Sequence, residues 1–212
     1  MSGKMSKTKG SSFELKISKL FSSWSGKSFY RTPGSGNWSS QRLGQSAQVG
    51  DIVPPEDIVF PFSIELKHHE GVSLENYMMS NGEVPSFFAQ NVGDAVRADK
   101  IPMLITHSNY APNYLSLPLS QKILKPFIDN NKPYITTKIK FQDYVSGEDV
   151  YMDILVVILE DFLELYSIED FYKGYKVAFK YWYKEVSPDI KSRTTGSALM
   201  TKSDIDNLID KL

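Results

Sequence analysis

The stretch Val49-Gly50-Asp51-Ile52-Val53, followed by Pro54-Pro55-Glu56-Asp57 and then by Phe60-Pro61-Phe62-Ser63-Ile64-Glu65-Leu66-Lys67, decides the fold. Its last part reads as a strand. Successive side chains on a strand leave opposite faces, so Phe62, Ile64 and Leu66 enter a core layer while Glu65 and Lys67, two apart, share the other face. Asp51 stands at the end of the preceding apolar stretch, and a hairpin through the Pro-Pro turn returns it beside Glu65. Two carboxylates and one ammonium then converge at one place. Hard oxygen donors of this kind suit Mg²⁺, which keeps several waters and binds through one or two carboxylates plus substrate phosphate. The chemistry this implies is phosphodiester hydrolysis, with charge developing on phosphate stabilised by the cation and Lys67 orienting water or neutralising that charge.

An acid, one residue and a lysine recur by chance, so the flanks matter. Upstream, Phe13-Glu14-Leu15-Lys16-Ile17-Ser18-Lys19-Leu20-Phe21 carries apolar residues at helical spacing, and Phe29-Tyr30-Arg31-Thr32-Pro33-Gly34-Ser35-Gly36 follows. With these residues in this order, the chain resembles the PD-(D/E)xK nuclease superfamily, with Asp51 in the first acidic slot and Glu65-Leu66-Lys67 in the ExK slot. The order is similar to that of phage-encoded endonucleases of the superfamily and, more distantly, of the Holliday junction resolvases. Residues 13–118 carry the likeness. It implies an α/β restriction-endonuclease-like core, a mixed central β-sheet flanked by helices, with a C-terminal extension. It further implies that Asp51, Glu65 and Glu14, with the backbone carbonyl of Leu66, hold Mg²⁺ (Mn²⁺ substituting), and that Asp51, Glu65, Lys67 and Glu14 are catalytic. The substrate it implies is DNA, branched if the resolvase likeness holds, cut by a homodimer because two strands are cut symmetrically. Other DNA substrates (single-stranded, flap or restriction-type) and a non-catalytic DNA-binding module with the same fold are the alternatives. For Glu14 the competing reading is a solvated charge favoured by the positive end of a helix.

Around this core, Arg31 to Ser40 forms a loop in which Gly34 and Gly36 allow backbone amides to approach a phosphate, with Arg31 and Ser35 as further DNA contacts; the same composition also serves a plain linker. Residues 84–97 read as a helix with proline early and an apolar side at 88, 92, 95 and 96, on which Gly93 allows close packing against the sheet. Gln90 on that helix is a DNA-binding candidate near the active centre, with a solvated polar face as the alternative. His68 and His69 follow Lys67 on opposite faces, and no zinc-binding spacing exists. Ile101 to Thr106 and Tyr114 to Pro118 are further strands.

Composition bounds the rest. The 212 residues hold 24 Lys and Arg against 25 Asp and Glu, a net charge of −1, so DNA must be met by a local patch rather than by overall basicity. No cysteine is present, which excludes disulfide and thiolate chemistry and fits a reducing cytoplasm, that of the bacterial host for a phage protein. No apolar run reaches the length of a membrane span. Organisation along the chain is expected as a flexible basic tail (1–12), the nuclease core (13–118), an extension of strands plus an aromatic and lysine segment (119–186), and a linker with a short amphipathic helix (187–212) that docks on its own domain, a second subunit or a protein partner. In the extension, Tyr134 to Phe141 alternates like a half-exposed strand and Asp153 to Leu159 is continuously apolar like a buried one. These two strands either extend the sheet or form a small added unit. Ser167 with Asp170 reads as a helix cap.

Overall fold

The computed structural model describes residues 2–32, 50–55, 60–98, 100–143 and 147–170, with side chains from residue 10 onward. The chain enters through helix α1 (Ser2–Ser25), passes two short strands, β1 (Tyr30–Arg31) and β2 (Ile52–Val53), and reaches strand β3 (Phe62–His68). Helices α2 (Leu74–Met79) and α3 (Val84–Arg97) follow, then β4 (Ile101–His107), β5 (Tyr114–Pro118), α4 (Gln121–Asp129), β6 (Tyr134–Gln142), β7 (Asp149–Ile158) and α5 (Leu159–Leu165). The seven described strands form one sheet of order β1-β2-β3-β4-β5-β7-β6. Among them β3 and β4 run parallel and the other neighbours are antiparallel. This is the mixed sheet with flanking helices that the sequence predicts.

A parallel pair needs a crossover, and α2 and α3 supply it between β3 and β4. Pro85 sits in the first turn of α3, where its missing N–H costs nothing, and the helix buries Phe88, Val92, Ala95 and Val96 as the spacing predicts. The amide of Asn91 is buried too and donates to the Ser63 carbonyl of β3 at 3.0 Å, which clamps α3 to the strand. Gly93 is not what permits that approach. A Cβ there would meet only an Arg97 nitrogen at 3.6 Å, an ordinary contact.

The opposite side of β3 receives α1. Phe13, Ile17 and Phe21 recur every four residues and are buried, and Phe21 packs edge-on against Phe60. Each such side chain contributes about 2–3 kcal/mol on burial. Ring stacking of Phe13 on His107 and its edge contact with His68 close the upper end of this layer. The helix begins at Ser2, so the lysine-rich start expected as a flexible tail is continuous with α1. The indole of Trp24 donates to the Tyr166 carbonyl at 2.7 Å and ties α1 to the segment after α5.

No break falls at residue 118. β7 inserts beside β5 and pairs with it from Tyr114↔Ile158 to Pro118↔Ile154, so the later strands extend the same sheet. The apolar run expected as strand to Leu159 turns into α5 at that residue, and α4, with Pro126 inside it, and α5 are helices that the sequence reading did not place. The far edge strand β6 meets the crossover helices: Ser80 Oγ donates to the Lys138 carbonyl at 3.2 Å and accepts from Lys140 N at 3.1 Å, and the Phe88 and Phe141 rings stack. These contacts occupy part of the outer edge of β6. The predicted cap at Ser167 forms, with its N–H and Oγ both donating to Asp170 Oδ2. Gly34, Ser35, Gly36, the aromatic and lysine segment from 171 and the terminal helix lie outside the described residues. No described helix is long and apolar enough to cross a membrane.

Candidate active site

A strand paired in parallel and covered by helices on both sides is ordinarily apolar throughout. β3 departs from this on its α3 side, where Ser63 and Glu65 are buried and Lys67 is half-buried. A buried carboxylate is expensive without partners, so its surroundings carry the information.

Asp51 is the first partner. Gly50, at φ +99°, occupies a backbone region that L side chains rarely adopt, and a Cβ there would lie 2.5 Å from the Ile64 carbonyl oxygen. The glycine lets the chain enter β2 pressed against β3. Asp51 N then donates to that same Ile64 oxygen at 2.8 Å, and its carboxylate Oδ2 accepts from Leu66 N at 2.8 Å. The side chain thus continues the ladder just past the short β2 strand and lies next to Glu65 in the register set by Ile52↔Ile64. On its other side the Asp51 carbonyl accepts from Thr32 N at 2.9 Å. Backbone N–H and C=O of one strand residue leave the same edge, so the Leu66 carbonyl also faces the Asp51 side.

Lys67 is the second partner. Its Nζ lies 2.6 Å from Glu65 Oε1 and donates to Gln90 Oε1 of α3 at 2.9 Å, 5.4 Å from the centre of the Phe87 ring. An ammonium has three donors, so with two of them fixed one remains for another oxygen. The geometry brings Asp51, Glu65, Lys67 and Gln90 together.

The electrostatics are unbalanced toward negative charge. Burial, followed by the Asp51 charge beside it, pushes the Glu65 carboxyl up to about 8, against the pull of Lys67. Burial likewise pushes Asp51 up to about 6, opposed by the Leu66 hydrogen bond and reinforced by Glu14. A single ammonium does not compensate this pair. The donor set therefore fits a small divalent cation: hard oxygens, buried, short of positive charge. Among the described residues no group of three or more His, Cys, Asp and Glu side chains is arranged to hold a metal, so two carboxylates, a strand carbonyl, water and substrate would make up the shell. Such a shell would be one of hard oxygen donors, without the nitrogen and sulfur ligands that zinc favours.

Glu14 reaches the site electrostatically, but its carboxylate is ion-paired with Arg31, whose Nη2 also donates to Ser11 Oγ. Arg31 therefore lies over α1 as a partner of Glu14. Of the other DNA-binding candidates, only Gln90 falls within the described residues. His69 is exposed, 6.1 Å ring to ring from Phe87, and His68 faces α1 against Phe13.

One acid escaped the sequence reading. Asp94 stands four residues after Gln90, hence on the same face of α3, and its charge acts on Asp51, Glu65 and Lys67. Burial raises its pKa and its ion pair with Arg97 opposes the rise. The spacing from Gln90 was the available signal.

The family described as "phage putative PDDEXK endonuclease" matches the chain over residues 5–173. No curated protein and no solved structure matches it. The match spans most of the sequence and includes β6 and β7 with the core, and the chain belongs to this family.

Proposed function

We propose that this member of the phage PDDEXK endonuclease family is a Mg²⁺-dependent DNA endonuclease that resolves branched DNA of the Holliday junction type. The observation that carries the metal-dependent reading is the buried Asp51 and Glu65 pair with Lys67 held 2.6 Å from Glu65 and 2.9 Å from Gln90. In this reading Asp51, Glu65 and the Leu66 carbonyl hold the ion, with Glu14 as a further ligand once it leaves Arg31, and Mn²⁺ replaces Mg²⁺. The ion, when bound, supplies positive charge against the phosphate and a water of lowered pKa. Lys67 directs its remaining N–H at the attacking water or a phosphate oxygen, while Gln90 fixes the direction of that ammonium. Asp51, locked by the Leu66 N–H, cannot swing away from Glu65. The branched substrate and a two-fold dimer rest on the order Glu14, Arg31, Gly34-Ser35-Gly36, Asp51, Glu65, Lys67 in the sequence.

The test is a panel of labelled four-way, flap, duplex and single-stranded DNAs incubated with and without Mg²⁺. Preferential, symmetric cutting of the four-way junction is the expected result. Indifference to the junction removes the resolvase assignment, and cutting that persists in a chelator removes the metal. Glu65→Ala and Lys67→Ala should abolish cleavage and keep DNA binding, since they remove transition-state stabilisation and leave the phosphate grip.

A further inference from the structure

Helix α3 carries a stripe beside its buried face. Phe87, Gln90, Asp94 and Arg97 recur at steps of three, four and three, which places them along one face. Each member but the last has its contact at the active centre. Phe87 lies under Lys67 Nζ and beside His69, Gln90 accepts from Lys67, and Asp94 is charge-coupled to Lys67, Glu65 and Asp51.

Arg97 ends the stripe, and its exposed guanidinium is held along the helix surface. It folds back over the preceding turn, with Nη2 on the Asp94 carboxylate and Nη1 at 3.6 Å from where a Gly93 Cβ would stand. The side chain is 56% exposed, so its head is accessible while its direction is set. A guanidinium offers five N–H donors, of which one carboxylate engages a part, and the rest match phosphate oxygens.

We propose that Arg97, held by Asp94, is a DNA-backbone contact that binds a phosphate next to the one cleaved. The inference rests on the nuclease reading and adds a binding residue to it. The turn over which the guanidinium lies is about 5 Å of helix rise from Gln90. An arm offset by that distance from the group that orients Lys67 is placed for a phosphate beside the cleaved one. The chain needs such a contact. With a net charge of −1 and three acids facing the centre, a phosphodiester meets repulsion there unless fixed cations flank it.

The experiment uses the full chain and fluorescent four-way and duplex oligonucleotides, bound in chelator across a salt series, with cleavage in Mg²⁺ measured in parallel. Arg97→Ala should weaken binding roughly 10-fold near 0.1 M salt and make the slope of log K against log salt shallower by about 1. Arg97→Lys should restore the slope with part of the affinity, because it keeps the charge and loses the fork. Arg97→Gln, which keeps the bulk of the side chain, should behave as the alanine variant. Wild-type DNA binding with an unchanged slope and affinity in Arg97→Ala and Arg97→Gln overturns the assignment and leaves the nuclease reading intact. A wild-type protein that neither binds nor cuts any of the DNAs overturns both.

Discussion

Replacing Glu65 by Gln tests the electrostatics of the candidate site without any appeal to activity. Glu65 is 3% exposed and its carboxyl is pushed from 4.5 up to about 8 by burial and by Asp51. The sign follows from proton counting. Between those two values the folded chain binds the proton and the unfolded chain does not, so stability falls as pH rises from about 4.5 to about 8. The full interval corresponds to a ceiling on the order of 4–5 kcal/mol at 1.36 kcal/mol per decade. Part of that rise comes from the Asp51 charge, and glutamine forfeits the charge of the Lys67 pair, so the net gain expected for Glu65→Gln at pH 8.5 is about 2 kcal/mol. Near pH 4.5 glutamine resembles the protonated native side chain and the difference should close. Denaturant unfolding in chelator at pH 4.5, 6 and 8.5 measures this directly, and Mg²⁺ at 100 times its Kd should return about 2.7 kcal/mol to the wild type at pH 8.5 and little to the variant. A variant less stable than wild type at pH 8.5, or a wild type whose stability does not decline over that range, refutes the reasoning.

Two other substitutions probe how the site is held. Gly50→Ala must accommodate a Cβ 2.5 Å from the Ile64 carbonyl oxygen at φ +99°, so it should cost roughly 2 kcal/mol or more in denaturant unfolding and displace Asp51 enough to suppress cleavage; a variant as stable and active as wild type would show that the entry into β2 is not fixed there. Gln90→Ala removes the acceptor of Lys67 from an exposed helix position, so stability should stay within about 0.5 kcal/mol while kcat falls roughly 10-fold with little change in KM; a change confined to KM would make Gln90 a binding group instead.

The sequence by itself determined the elements that rest on local pattern. Alternation through Phe62, Ser63, Ile64, Glu65, Leu66 and Lys67 fixes which side chains share a face, because the pleat has a period of two whatever surrounds it. The four-residue recurrence of Phe13, Ile17 and Phe21, and of Phe88 and Val92, fixes the buried sides of α1 and α3 in the same way. The pairing of a Gly-Asp step with a Glu-x-Lys strand was equally legible and pointed to the family. What only the tertiary structure decided depends on residues distant in sequence. The insertion of β7 between β5 and β6 is a choice among antiparallel neighbours that no local period encodes. The diversion of Arg31 to Glu14 and Ser11 arises because β1 crosses α1, so an arginine expected to meet DNA already has acidic company. Asp94 acts on the acids of β2 and β3 because the crossover lays α3 along β3. Charge on such a face acquires its meaning from what lies opposite, and Coulomb interactions depend on distance through space, of which chain separation says nothing.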